Sequence, residues 1–154
     1  MFSGEQGKPV SIPQEEEEQH SNLFRSNGFS GHVSDLISVD RAVPDIRHPG
    51  CKTKQYSSHL PGVSVVIPFY NEHWSTLLRT FHSVINRSPS QLLKQVILVD
   101  DASNKPELKI QLEEYIQKYP KVSLVRLDTR GGLITARWGK KLFDHDFNQV
   151  NDYL

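Results

Sequence analysis

Cysteine is almost missing from this chain: Cys51 stands alone among 154 residues. No disulfide and no cysteine-rich metal site can form within the chain. Cys51 is read as a reduced structural thiol, with a disulfide partner outside these residues as the alternative. An excess of one charge is missing too. Eighteen Lys and Arg balance eighteen Asp and Glu, for a formal net charge of zero. That balance excludes the dominant basic face on which electrostatic nucleic-acid binding depends. No apolar run is long enough to span a bilayer. No apolar h-region stands near the N-terminus, so neither a membrane anchor nor a signal peptide is expected. No G-x-G-x-x-G and no Walker sequence follows a candidate strand, which counts against a nicotinamide dehydrogenase and a P-loop NTPase. No internal repeat of fixed period is present.

What is there begins with two apolar runs that end in polar residues. Val63-Ser-Val-Val-Ile-Pro-Phe69 leads into Tyr70, Asn71 and Glu72, and Gln95 to Val99 leads into Asp100 and Asp101. Both runs are short, rich in β-branched residues and free of alternation, as expected of strands covered on both faces. Between them, Trp74, Leu77, Leu78, Phe81, Val84 and Ile85 follow a helical rhythm, and Pro89 stops it. Ser103 or Asn104 can cap a second helix with Pro106 in its first turn. That helix carries Leu108, Leu112, Tyr115, Ile116 and Tyr119, and ends at Pro120. Val122 to Leu127 reads as a third strand, and Leu133 to Leu142 as a third helix after the Gly131-Gly132 turn. The order β-α-β-α-β-α predicts an α/β fold: a partial Rossmann-like parallel sheet. At this length, roughly 70% of the unfolded surface is buried on folding.

Four regions follow. Residues 1–30 hold the acidic run Glu15 to Glu18 with several Gly and Pro, and read as a flexible or extended acidic arm. Residues 31–62 read as an extended surface segment, with a short helix or turn around Val33 to Val39. Residues 63–142 form the nucleotide-binding half-domain, and residues 143–154 a divergent C-terminal tail.

Ligands of open α/β sheets bind beyond the carboxyl ends of the strands, which singles out Asn71, Glu72, Asp100 and Asp101. A carboxylate there accepts hydrogen bonds from ribose hydroxyls or a pyrimidine N–H, or holds a metal. A turn or helix cap uses Asp equally well, and both readings stay open. Helix capping is the favoured reading for Glu72. Arg130 precedes a Gly-Gly turn whose backbone N–H groups can bind phosphate. Asp144-His145-Asp146 offers the metal candidates Asp144 and Asp146, but only Leu142-Phe143 precede them where a metal D-x-D needs a rigid strand, so a polar tail is favoured. His73 and His82 are expected at the surface or a helix flank. Asn86-Arg87-Ser88 fits the N-glycosylation pattern but runs into Pro89.

A longer series of motifs resembles one family. Ser38-Val-Asp-Arg-Ala-Val-Pro-Asp-Ile-Arg47, Gly50-Cys-Lys-Thr-Lys54, Phe69-Tyr-Asn-Glu72, Ser83-Val-Ile-Asn-Arg-Ser-Pro89, Ile97-Leu-Val-Asp-Asp-Ala-Ser103 and Arg130-Gly-Gly-Leu-Ile-Thr-Ala-Arg137 occur in order. Together they resemble the polypeptide N-acetylgalactosaminyltransferases over about residues 4–139. The resemblance implies the donor-nucleotide half of a glycosyltransferase A-type fold. It implies UDP-GalNAc as donor, Mn²⁺ as cofactor, Ser or Thr of proteins as acceptor, retention at the sugar, and the Golgi as the compartment. By matching position it places Asp101 and Arg130 on the nucleotide sugar, with Phe69, Asn71 and Gly132 shaping the pocket.

The departures set further expectations. Family members usually carry His where this chain has Tyr70 and Arg where it has Thr135. Their Asp-Ser-His metal motif, acceptor half and lectin domain have no counterpart in these residues. A truncated family product without measurable GalNAc transfer is therefore expected, with a location in the cytosol as the alternative to the Golgi. It is also expected to associate with a full-length homologue or to expose a sheet edge and aggregate. A non-catalytic UDP-binding or protein-interaction module is the second reading. An unrelated Rossmann-like domain, which would prefer another ligand, is the third.

Overall fold

The computed structural model describes residues 4–57 and 59–138. They divide between two compact units. One is drawn from Met1–Pro61 and His73–Arg87, the other from Gly62–Glu72 and Ser88–Leu154.

The second unit holds the sheet. Strands β1 (Val63–Phe69), β2 (Leu93–Asp100) and β3 (Val122–Arg126) run parallel in the order β1-β2-β3. Register pairs Phe69 with Asp100, and Asp100 with Arg126, so the three carboxyl ends finish level. β2 is central and its apolar run is covered on both faces, with Val96, Leu98 and Val99 fully buried. β1 is an outer strand, which is where Pro68 can forgo a ladder N–H. Helix α6 (Ile110–Ile116) follows a 3-10 turn at Pro106–Leu108 and packs beside β3. Leu108 and Leu112 are fully buried. Helix α7 (Gly132–Trp138) lies on the face that carries Ile97 and Val99, and Ala136 enters the core there beside Val125 and Leu127. A small residue at this position lets the helix approach the sheet closely.

The first unit is built on helix α5 (Trp74–Arg87), whose Leu77, Leu78 and Phe81 are buried. Residues 14–27, within the stretch read as an extended arm, form helices α1 (Gln14–Gln19) and α2 (Ser21–Asn27). Pro13 sits just before α1, and three Glu occupy its positively polarised first turn, a favourable placement. Helices α3 (Gly31–Leu36) and α4 (Pro49–Lys52) punctuate the segment that follows, which is otherwise irregular.

Polar fastening adds to apolar packing along α5. Arg79 donates to the carbonyls of Ser34 at 2.7 Å, Ile37 at 3.0 Å and Ser38 at 3.2 Å. Ser34 lies in the last turn of α3, and Ile37 and Ser38 follow that helix directly. His73 and His82, expected at the surface or a helix flank, are buried: His73 directly precedes α5 and His82 lies within it. His73 Nε2 lies 2.8 Å from Asp35, and His82 Nδ1 lies 2.8 Å from Asp40. The partners are 38 and 42 residues away in sequence, so no local pattern announces them. Cys51 is a free thiol, exposed on α4.

Candidate functional site

The level strand ends of the second unit carry a knot of hydrogen bonds. Asp101 N–H donates to the Phe69 carbonyl at 2.9 Å, and Leu127 N–H to the Asp100 carbonyl at 2.9 Å, extending both ladders past the strands. Asn71 and Ala102 then turn the chain with φ of 47° and 60°. Asn tolerates that left-handed conformation, but Ala does so at a cost of about 1–2 kcal/mol. Backbone held in costly conformations concentrates at functional sites.

The two adjacent aspartates do different work. Asp100 is fully buried and accepts from Ser103 N–H at 2.7 Å. It also forms an ion pair with Arg126. The fork of Arg126 reaches on to the carbonyls of Leu108 and Lys109 and to the carboxylate of Glu113. Asp100 therefore takes the turn-and-cap reading. Asp101 is also buried, and its two oxygens accept from Gly131 N–H at 2.7 Å and Gly132 N–H at 2.9 Å. Gly132 has φ of 78°, a left-handed value that leaves its residue open to space. These bonds revise the phosphate reading of the Gly-Gly turn. Its amides are already given to a carboxylate, so they are not free donors for a phosphate. Each carboxylate oxygen has two acceptor directions, so Asp101 can still accept from a ligand.

Around Asp101 lies a hollow of about 200 Å³, lined by Pro68, Phe69, Tyr70, Asp101, Arg130, Gly132, Leu133 and Ala136. The Arg130 guanidinium carbon stands 3.9 Å from the centre of the Tyr70 ring, a close cation–π stack. Four of the five residues expected to hold a nucleotide sugar thus share one hollow: Asp101, Arg130, Phe69 and Gly132. Asn71 is not among its lining residues. The Asn71 side-chain oxygen Oδ1 accepts from Asn104 and Lys105 N–H, and the Asn71 backbone N–H donates to the Ser103 hydroxyl. It shapes the loop rather than the hollow. Tyr70 is the lining residue that strand-end logic passed over. Its signal was the aromatic placed directly after the strand, where a side chain can wall a cleft.

Chemically, the hollow offers an aromatic wall, an oriented cation and a buried anion with acceptor capacity. That set suits a flat heteroaromatic ring carrying an N–H. At about 200 Å³ it lies below the roughly 300–1,000 Å³ usual for whole ligands, so it takes a ring rather than a complete nucleotide sugar. No group of three or more His, Cys, Asp or Glu is placed to hold a metal ion among the described residues. These residues do not fit a Mn²⁺ site, and the candidates Asp144 and Asp146 lie outside them. Among the described residues no helix is long and apolar enough to cross a membrane.

The chain is similar to known proteins. Residues 64–138 match the family model described as glycosyl transferase family 2. Human polypeptide N-acetylgalactosaminyltransferase 13 is 53% identical over 135 residues, covering 87% of this chain and 24% of that protein. Human polypeptide N-acetylgalactosaminyltransferase 10 is 49% identical over 135 residues, covering 88% of this chain and 22% of that protein. The crystal structure of GalNAc-T7 with UDP, GalNAc and Mn²⁺ superposes with a TM-score of 0.86 at 43% identity. The match covers 89% of this chain and 26% of that one. The chain therefore spans about a quarter of the length of the relatives it matches. Three level parallel strands and this degree of identity lead to one conclusion: residues 64–138 match glycosyl transferase family 2, and the chain is similar to the polypeptide N-acetylgalactosaminyltransferases over 87% of its length.

Proposed function

We propose that this chain binds the uridine end of a UDP-sugar at the hollow beyond β1 and β2, and that its 154 residues bind the donor without transferring the sugar. In this reading Asp101 accepts from the uracil N–H or a ribose hydroxyl. Phe69 and Tyr70 form the flat wall, and Arg130, steadied by its stack on Tyr70, reaches the negatively charged part of the nucleotide. Gly132 keeps the rim open for close approach. Asn71 contributes by fixing the Ser103–Lys105 loop. The observation that carries the reading is the convergence of Asp101 and Arg130, 29 positions apart in sequence, on one hollow.

The reaction of the family, transfer of GalNAc to Ser or Thr in the Golgi, requires more than donor binding. A leaving nucleoside diphosphate develops negative charge, which a bound cation such as Mn²⁺ neutralises. The described residues gather no ligand set for it. Arg130 is a single fixed charge and does not replace it.

Two measurements on the 154-residue chain test both halves. Saturation-transfer NMR should show the uracil protons of UDP in contact with protein, with ADP far weaker. Radiolabelled UDP-GalNAc, Mn²⁺ and a Ser/Thr-rich peptide should give no incorporation. Equal contact from ADP would remove the uridine assignment, and robust incorporation would remove the claim of binding without transfer.

A further inference from the structure

A second cavity lies in the first unit. It has about 640 Å³ and runs along α5 beside residues 39–43, with Arg41, Arg79, Thr80, Ser83 and Arg87 in its lining. That volume is within the roughly 300–1,000 Å³ usual for a ligand site. Positions 76, 80, 83 and 87 fall on one helix face and present polar groups only.

Its charge is unbalanced. None of the three arginines has a carboxylate at salt-bridge distance among the described residues, whereas Arg47 and Arg126 do. Arg79 spends its donors on backbone carbonyls and the Ser34 hydroxyl. Burial and the neighbouring Arg41 charge push its guanidinium below the usual value. Arg87 gives one nitrogen to the Arg41 carbonyl at 3.2 Å and keeps the rest of its fork. The one acid in the lining, Asp40, is claimed by His82 at 2.8 Å and Asn86 at 2.7 Å. Three arginines against one carboxylate leave the lining net positive, and a bound oxyanion is favoured there through charge-assisted, forked hydrogen bonds.

The hydroxyls define the rest of the ligand. Thr80 donates its proton to the Thr76 carbonyl at 2.8 Å, and Ser83 donates to the Thr80 carbonyl at 2.6 Å. Their oxygens are left as acceptors, which suits a ligand rich in O–H donors. We propose that this cavity binds a phosphate monoester of a sugar or similar polyol, with the oxyanion on Arg41 and Arg87 and ligand hydroxyls donating to Thr80 and Ser83. The site is separate from the uridine hollow and does not depend on it.

The test is an NMR titration of the whole chain with glucose 6-phosphate, inorganic phosphate and glucose, read at the arginine Nε–H resonances. Saturable shifts are expected at Arg41 and Arg87 with both phosphates, the sugar phosphate binding about tenfold tighter through its added hydroxyl bonds. Arg41→Gln and Arg87→Gln should each weaken binding about tenfold, the worth of one charge-assisted contact. Arg41→Lys, which keeps the charge and loses the fork, should fall between. Arg47→Gln should leave the affinity unchanged. Dispersed amide spectra establish that each variant is folded. Linear shifts without saturation, unchanged affinity in folded Arg41→Gln, or glucose binding as well as its phosphate would each overturn the assignment.

Discussion

At the scale of single residues, Asp100 and Asp101 illustrate how position and role part company. Both end the same strand, and from sequence both serve equally as ligand or cap. Burial and partners separate them: Asp100 is locked by Arg126 and the Ser103 amide, whereas Asp101 holds the Gly131-Gly132 turn and faces the hollow. The strand-end position of Asp101 and Arg130 was legible because parallel strands announce their ends. The Asp101 bonds to two glycine amides were not, because they join residues 30 and 31 positions apart. The Arg126 pair carries a direct prediction. Removing one partner of a buried ion pair leaves the other charge stranded, at a cost of about 3–5 kcal/mol. Arg126→Ala should lower the unfolding free energy by an amount in that range in a urea titration. Arg126→Lys should recover only part, since one ammonium does not satisfy Asp100, Glu113 and two carbonyls together. A loss under about 1 kcal/mol would mean the pair is dispensable.

At the scale of elements, the strands and α5 were readable because their signals are repetitive: runs of β-branched residues and an apolar stripe. Helices α1 and α2 were missed because neither buries a residue, so the acidic stretch lacks the apolar periodicity by which helices are recognised. Its Pro13 and first-turn glutamates were the available signal. Helix α7 depends on its first turn. A Cβ on Gly131 would lie 2.6 Å from the Thr135 side chain, a branched group fixed close to the backbone. Gly131→Ala should therefore strain the start of α7 and cost about 1–3 kcal/mol, as overpacking does. Thr135→Ala in the same chain should return only part of that stability, because it removes the Cγ2 contact and keeps the Cβ at 2.6 Å. Calorimetric melting of the single and double variants measures it, and additive losses would place the strain elsewhere.

At the scale of the whole molecule, apolar surface remains open along the sheet. Val63 and Val66 on β1 are 53% and 39% exposed, and Leu133 and Ile134 on the neighbouring α7 are 59% and 78% exposed. An outer strand with apolar exposure invites association. The 154-residue chain should bind ANS and self-associate as its concentration rises, and Ile134→Lys should reduce both without abolishing the thermal transition. A flat ANS signal would contradict this. The fold class and the strand-end location of the hollow were written in local pattern. The buried histidines, the polar fastening of α5 and the arginine-lined cavity were not, because each depends on contacts between segments roughly 40 residues apart.

The central claim is that the strand-end hollow recognises uridine without a metal ion. Its most direct measurement is calorimetric titration of UDP in the presence of EDTA, on the native chain and on Asp101→Asn, which keeps the shape of the side chain and removes its charge. Saturable binding is expected for the native chain, with affinity falling at least about tenfold in the variant, the worth of one charge-assisted hydrogen bond. No binding heat, or equal affinity in the two proteins, would contradict it.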